Sequence, residues 1–344
     1  MTATAPSRPA RPRAPRLPEP RGTLSATVLR LLRSPPGTAP PRGVRPDGDD
    51  PFGEDLQLAL HLCYELHYRG FPEADDGWEW DPGLLRLRAA AERRFLDGLR
   101  AATAGGADVG AALDALLVEP VHGTGISHYL RDEGGWEQMR EYLVHRSLYH
   151  LKEADPHAWA VPRLQGRAKA ALVAVEFDEF GGGRADRMHS RLFRDLLAGA
   201  GLDPGYLHYL DAVPAPPIAV VNMMSLFGLH RALRGALVGH FAAAEITTGP
   251  SARRMAQGLR RLGAPEACVR FYTEHIEADA VHEQLMRHEV IADLLRREPA
   301  LAPDVVLGIQ ATELVEDRLA GHLRACWDRG APSLRHPLPP PGRP

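Results

Sequence analysis

The stretch Tyr272-Thr-Glu-His275-Ile-Glu-Ala-Asp279-Ala-Val-His282-Glu-Gln-Leu-Met286 contains neither Pro nor Gly and reads as one helix. At about 100° per residue, positions four and seven beyond His275 fall roughly 40° and −20° from its direction. His275, Asp279 and His282 therefore project from one face. Two imidazoles and a carboxylate on one stripe are the mixed nitrogen and oxygen donors that a first-row metal ion takes. An ordinary polar helix face would show the same spacing, so the stripe alone leaves both readings open. Acidic and His residues that recur upstream in apolar surroundings weigh toward a metal.

Working outward, apolar residues at helical spacing recur along most of the chain. A first run covers Leu56 to Leu66 and ends at Gly70-Phe-Pro72. Asp81-Pro82 opens a helix that reaches Leu99, with Pro at its first position. A Gly-rich turn precedes Ala111–Leu117, and Gly134-Gly135 precedes a helix from Trp136 that runs to Glu153, ahead of Asp155-Pro156. Pro162–Phe180 follows, interrupted by Gly181-Gly182-Gly183, and the chain resumes at Arg184 through His189 to Leu197. Ile218–Ile246 reads as one long apolar helix, with Gly228, Gly235 and Gly239 permitting close packing. Ser251–Leu262, Glu266–Arg287 and Val305–Cys326 complete the set. Strand alternation and internal repeats are not evident. The expectation is an all-α bundle over residues 52–329, with N-terminal helices in 52–150 and the site helices in 151–329. Residues 1–50, rich in Pro and Arg, are expected to be disordered apart from a short helix near Leu24–Leu32, and 331–344 form a second Pro-rich tail.

Composition bounds the function. The 344 residues are 44% hydrophobic and 25% charged, with a net charge of −3, which argues against nucleic acid as a partner. No run of 18 apolar residues exists, so no membrane span is expected, and the N-terminal stretch lacks the apolar core of a signal peptide. Cys63, Cys268 and Cys326 are scattered and form no CxxC, which fits free thiols in a reducing, cytoplasmic compartment.

Four carboxylates sit where helices are expected to pack inward. Asp279 is one. Glu245 follows Phe241-Ala-Ala-Ala, and a lone acid there is costly unless paired or metal-bound. Thr247-Thr248-Gly249-Pro250 would equally make it a solvated helix end. Glu179 closes an apolar run, although Glu176 and Asp178 beside it leave the choice open. His189 comes ten residues later, and only a break at the glycines would bring it onto Glu179. Glu153, before Ala-Asp-Pro156, also reads as a solvated helix end. Glu153, Glu179, Glu245 and Asp279 carry four negative charges, and His189, His275 and His282 add three neutral donors. Two ferrous ions would balance that charge, and a set without thiolate suits Fe or Mn better than structural Zn.

At these residues the sequence resembles the haem-oxygenase-like diiron oxidases, also described as iron-containing redox enzymes. The resemblance spans about residues 54–329 and rests on the order and spacing of the set, on Glu179-Phe-Gly-Gly-Gly with Met188-His189, and on His275-x3-Asp279-x2-His282. The family's ligands carried over by position are Glu179, His189, Glu245, His275, Asp279 and His282. Glu153 corresponds to an extra carboxylate found in some members. The paired Glu-x-x-His motifs of ferritin-like bundles are missing, as the resemblance requires. It implies a haem-oxygenase-like helical bundle that binds two Fe ions, with Mn as the alternative metal and dioxygen as co-substrate. It also implies oxidation of a small amine or of an amino or fatty acid in specialised metabolism, an external electron donor, and a homodimer as the candidate assembly. No organic cofactor is implied, nor any catalytic residue beyond the ligands.

Other polar residues read more plainly. His230 and His240 are expected to be packing or surface residues, and Glu274, Glu277 and Glu283 solvated flanks of the stripe. Met223, Met224 and Phe227 read as core. Tyr64, Glu65 and His67 are candidates to face a cavity, and Trp78 and Trp80 to cap the N-terminal helices. Two further functions stay open: a non-catalytic metal-binding or partner-binding protein of the same fold, and a structural bundle whose polar residues pair with Arg187 or Arg287.

Overall fold

The computed structural model of the chain describes residues 15–41, 43, 46, 50–118 and 123–338, without the side chains of 277–280. Among the described residues the regular structure is helical, with no strand. The first half comprises α1 (Thr23–Leu32), α2 (Glu54–Glu65), α3 (Pro82–Ala102), α4 (Val109–Leu116), α5 (Ile126–Asp132), α6 (Trp136–His150) and the short α7 (Asp155–Ala158). The second comprises α8 (Gly166–Glu179), α9 (His189–Gly199), α10 (Ala215–Leu229), α11 (Arg234–Arg261), α12 (Glu266–Gln284), α13 (Ala292–Arg297) and α14 (Ala302–Trp327). A π-helical segment, Leu285–Ile291, links α12 to α13. Local chemistry sets several starts. Asp81 caps α3, its Oδ1 accepting from the Leu84 amide at 2.8 Å, with Pro82 at the first position. Asp108 caps α4 in the same way.

The centre of the bundle is α11, which packs against α12 on one side and α14 on the other. At the crossing with α14, a Cβ on Gly239 would overlap the Val305 carbonyl oxygen, and one on Gly308 would overlap that of Ala236. Only glycine at both positions lets the two backbones approach this closely.

Several boundaries differ from those read in the sequence. The expected Ile218–Ile246 helix is two, broken at His230–Leu233, where the Arg163 guanidinium takes the last carbonyls of α10, at 3.0 Å for Leu229. α11 then continues through Pro250 and merges with the expected Ser251–Leu262 helix. Packing on both sides outweighs the missing proline N–H there. The helix expected to resume at Arg184 begins at His189, and α6 stops at His150 rather than Glu153. α5, α7 and α13 had no clear periodic signal because of their shortness.

The tails are corrected in part. Leu24, Val28, Leu29, Leu31 and Leu32 of α1 are buried, and α1 packs on α2, so residues 15–41 are not a disordered arm. Residues 1–14 lie outside the described residues. Ser333 and Leu334 are likewise buried, and the Ser333 hydroxyl donates to Glu141 Oε2 at 2.6 Å, which docks residues 331–338 against α6. The Trp78 indole N–H donates to the Ser34 carbonyl oxygen just past α1, whereas Trp80 is 64% exposed, its ring 4.9 Å from that of His67. Among the described residues no helix is long and apolar enough to cross a membrane.

Candidate metal centre

Each candidate ligand reaches the centre from a different piece of backbone. Glu153 lies in the turn after α6, Glu179 is the last residue of α8 and His189 the first of α9. Glu245 is mid-α11, and His275 and His282 lie two turns apart on α12. Gly181, Gly182 and Gly183 all hold positive φ (73°, 61° and 79°), a region that favours glycine. That turn joins α8 to α9, which packs on α12, and brings His189 Nδ1 to 2.8 Å from Glu179 Oε2.

Six of the seven sequence candidates converge into two groups. Glu153, His189 and His275 form one; Glu179, Glu245 and His282 form the other. Within each group the ligand atoms lie within 4.8 Å of one another, and all six residues are buried. The side chain of Asp279 lies outside the described residues. Glu179 faces both groups, Oε2 toward His189 and Oε1 3.5 Å from His282 Nδ1. His282 Nδ1 is also 3.2 Å from Glu245 Oε2. In the first group the His189 and His275 rings are 4.2 Å apart, and His275 Nε2 is 3.7 Å from Glu153 Oε1. His275 Nδ1 donates to the Phe271 carbonyl oxygen at 2.8 Å, leaving Nε2 as the lone-pair nitrogen toward Glu153. The stripe on α12 therefore serves two groups rather than one.

The donor set fits a pair of metal ions. Three buried carboxylates and three imidazoles without thiolate suit Fe or Mn. Glu153 Oε2 has no hydrogen-bond partner, and the short His189–Glu179 contact lacks hydrogen-bond geometry. A cation between such atoms would satisfy them. Electrostatics agree. Burial, with the nearby Glu179 charge, raises the Glu245 carboxyl against the opposing hydrogen bond to His282. For His282 burial acts downward, but the hydrogen bond and charge of Glu245 prevail and push it up to about 9. The uncompensated negative charge of this group thus draws a proton onto His282.

Three neighbours surround these groups; the sequence offered Glu176 and Asp178 only as alternatives to Glu179 and gave no sign of His150. Glu176, one turn before Glu179, is buried with both oxygens unpartnered. Burial, then the Glu179 and Glu245 charges, push it up to about 9. His150, kept neutral by burial, donates Nδ1–H to Glu153 Oε1 at 2.8 Å. Asp178 Oδ2 lies 3.3 Å from His282 Nε2. The positions of Glu176 and His150 follow from one-turn spacing, i to i+3, and were legible only with Glu179 and Glu153 known to be buried.

Other candidates resolve differently. Glu65 does not face a cavity; it pairs with Lys152 at 3.0 Å and accepts from the Tyr206 hydroxyl at 2.8 Å. His240 is buried, its Nδ1 2.8 Å from Thr312 Oγ1, and borders the cavity described below. His230 pairs with Glu92 at 3.0 Å. Arg187 pairs with Glu274, and Arg287 with Glu283 and Asp114, so neither supplies the site carboxylates as a purely structural bundle would require.

A cavity of about 320 Å³ opens beside the centre, with Glu153, Glu179, Glu245 and His275 in its wall. Residues 140–317, more than half of the chain and inclusive of all six grouped residues, match the family model of iron-containing redox enzymes. The chain belongs to this family. As an iron-containing redox enzyme it has the all-α, haem-oxygenase-like architecture that the resemblance implied. It is also similar to a nitrosourea synthase of Streptomyces achromogenes subsp. streptozoticus, 27% identical over 172 residues. That alignment covers 50% of this chain and 36% of the relative, so the chain spans about a third of the relative's length.

Proposed function

We propose that this chain is a two-iron oxidase that uses dioxygen to oxidise a small nitrogen-containing substrate, an amine or amino acid. The observation that carries this reading is the pair of buried carboxylate and imidazole groups, joined at Glu179 and bordering one cavity. Glu153, His189 and His275 would hold one ion, and Glu179, Glu245 and His282 the other, with Asp279 the remaining ligand candidate. Iron bound there would supply the electrons for dioxygen reduction, and turnover would draw more from an external donor.

The cavity wall supports a polar substrate over a fatty acid. Arg146, Arg254, Thr248, Ser251, Glu316 and Asp317 face it. Arg146 is tied to Glu316 at 2.7 Å and Arg254 Nε to the Ser127 hydroxyl at 2.9 Å, which fixes both guanidinium groups. A guanidinium suits a substrate carboxylate and the acidic pair an ammonium group. Met224 and Phe241 add buried apolar surface to the same wall. The similarity to a nitrosourea synthase supports oxidation at nitrogen. Three free, buried cysteines fit a reducing, cytoplasmic setting.

The test is anaerobic Fe(II) titration, with iron counted per chain, followed by mixing with dioxygen in the presence of candidate amines and amino acids. Two irons per chain and substrate-accelerated dioxygen consumption, both lost in Glu179→Ala, are expected. Metal uptake without dioxygen consumption under any substrate would convert the reading to metal binding without turnover.

A further inference from the structure

The two histidines of α12 present opposite nitrogens to the centre. His275 donates Nδ1–H to the Phe271 carbonyl oxygen of its own helix, so its metal-facing atom is Nε2. His282 is reversed. Its Nδ1 lies 3.2 Å from Glu245 Oε2 and 3.5 Å from Glu179 Oε1, while Nε2 lies 3.3 Å from Asp178 Oδ2. An imidazole that binds a metal through one nitrogen donates its other N–H, and that acceptor sets tautomer and ring orientation. A backbone carbonyl serves His275. For His282 the acceptor facing Nε2 is Asp178.

We propose that Asp178 is the positioning residue of the second metal subsite: by accepting Nε2–H of His282, it leaves Nδ1, on the side of Glu179 and Glu245, as the lone-pair nitrogen for a metal. This rests on the metal-centre reading above. The arrangement follows from helix geometry. Adjacent residues on α8 point about 100° apart, so Glu179 turns inward while Asp178 stays near the surface. Together they hold the fully buried His282 ring from two sides. The Asp178 side chain is 56% exposed, so water competes for its oxygens.

The test is Mn(II) binding to the full chain, with sites counted and ranked from the electron paramagnetic resonance of the unbound ion. Wild type should show two sites. Asp178→Ala should keep one and weaken the other about 10- to 100-fold. Asp178→Asn, whose amide oxygen still accepts from Nε2–H, should recover most of that loss. Metal-free melting temperatures of both variants should match wild type, because an exposed carboxylate contributes little. Two unaltered sites in Asp178→Ala, or an Asn variant as weak as the Ala variant, overturn the role of Asp178. A wild-type chain that takes up no Mn(II) overturns the metal-centre reading and this role together. A second readout keeps the acceptor in place: in Co(II)-loaded protein, Asp178→Asn should move one exchangeable imidazole N–H resonance. An unchanged spectrum also overturns the proposal.

Discussion

Replacing Lys152 by Met tests how the turn that carries Glu153 is held. Lys152 Nζ lies 3.0 Å from Glu65 Oε2, with side-chain exposures of 1% and 0%. At that distance and an effective dielectric of about 20 the attraction is about 5.5 kcal/mol. Removing one partner of a buried pair costs about 3–5 kcal/mol, because the other charge stays buried and uncompensated. The Tyr206 hydroxyl, donating to Glu65 at 2.8 Å, and the Arg69 amide at 3.3 Å remain, so the lower end of that range is expected. At about 2 °C per kcal/mol for a chain of this size, the melting temperature should fall by at least ~6 °C. Lys152→Met/Glu65→Gln, which removes the stranded charge, should recover at least half of the loss. Because Lys152 directly precedes Glu153, metal uptake by the first group should also fall while the second group retains its ion. Thermal and urea melts, with metal counted on the same samples, provide the assay. A single-variant cost below ~1 kcal/mol, the value of an exposed pair, would refute the reasoning. So would a double variant no more stable than the single one.

Three further outcomes are expected. Gly181→Ala forces a side chain into φ +73°, with its Cβ 2.6 Å from the Met188 amide nitrogen. It should cost about 1 kcal/mol in stability but displace His189 from Glu179, so metal titration should show a larger loss than melting does. Gly308→Ala should cost about 1–3 kcal/mol or more in urea melts, because the new Cβ overlaps the Ala236 carbonyl oxygen; an unchanged midpoint would contradict the close crossing of α11 and α14. Burial pushes His240 down from 6.5 to about 4 and, with His322 and Arg146 assisting, His145 to about 3. Their unfolded forms therefore bind protons first as pH falls. The stability they contribute is complete above 6.5 and is lost on acidification toward 4 and 3, at about 1.4 kcal/mol per pH unit for each group. His240→Gln should flatten the acid limb of melting temperature against pH by one group's share.

Much of the helical content was legible because long apolar periodicity and sharp local signals agree. α2, α3, α12 and α14 are where the spacing put them, and Asp81-Pro82 marks a real cap. Local signals failed where packing decides. Thr247-Thr248-Gly249-Pro250 reads as a stop, yet α11 runs through it between α12 and α14, which puts Glu245 mid-helix and buried rather than at a wet end. The break at His230 follows Gly228, which read as a packing glycine rather than a stop; there Arg163, 67 positions earlier, takes the last carbonyls of α10. Pro-rich composition suggested loose tails, but a few leucines in α1 suffice to bury it on α2.

By itself the sequence determined which residue types are available and in what order. The His275-Asp279-His282 stripe, the lone acid at Glu245 and the glycine break after Glu179 are properties of covalent spacing and helical period. Only the tertiary structure decided the grouping. His275 and His282 share a helix face yet join different groups, because seven residues of rise carry them about 10.5 Å apart, farther than one ion can span. Glu179 faces both groups because three left-handed glycines turn the chain after α8 so that α9 packs on α12, and Asp178 meets His282 because α8 and the α12 region meet in space across about a hundred residues of chain. Those distances are set by packing between remote segments, which no local periodicity encodes.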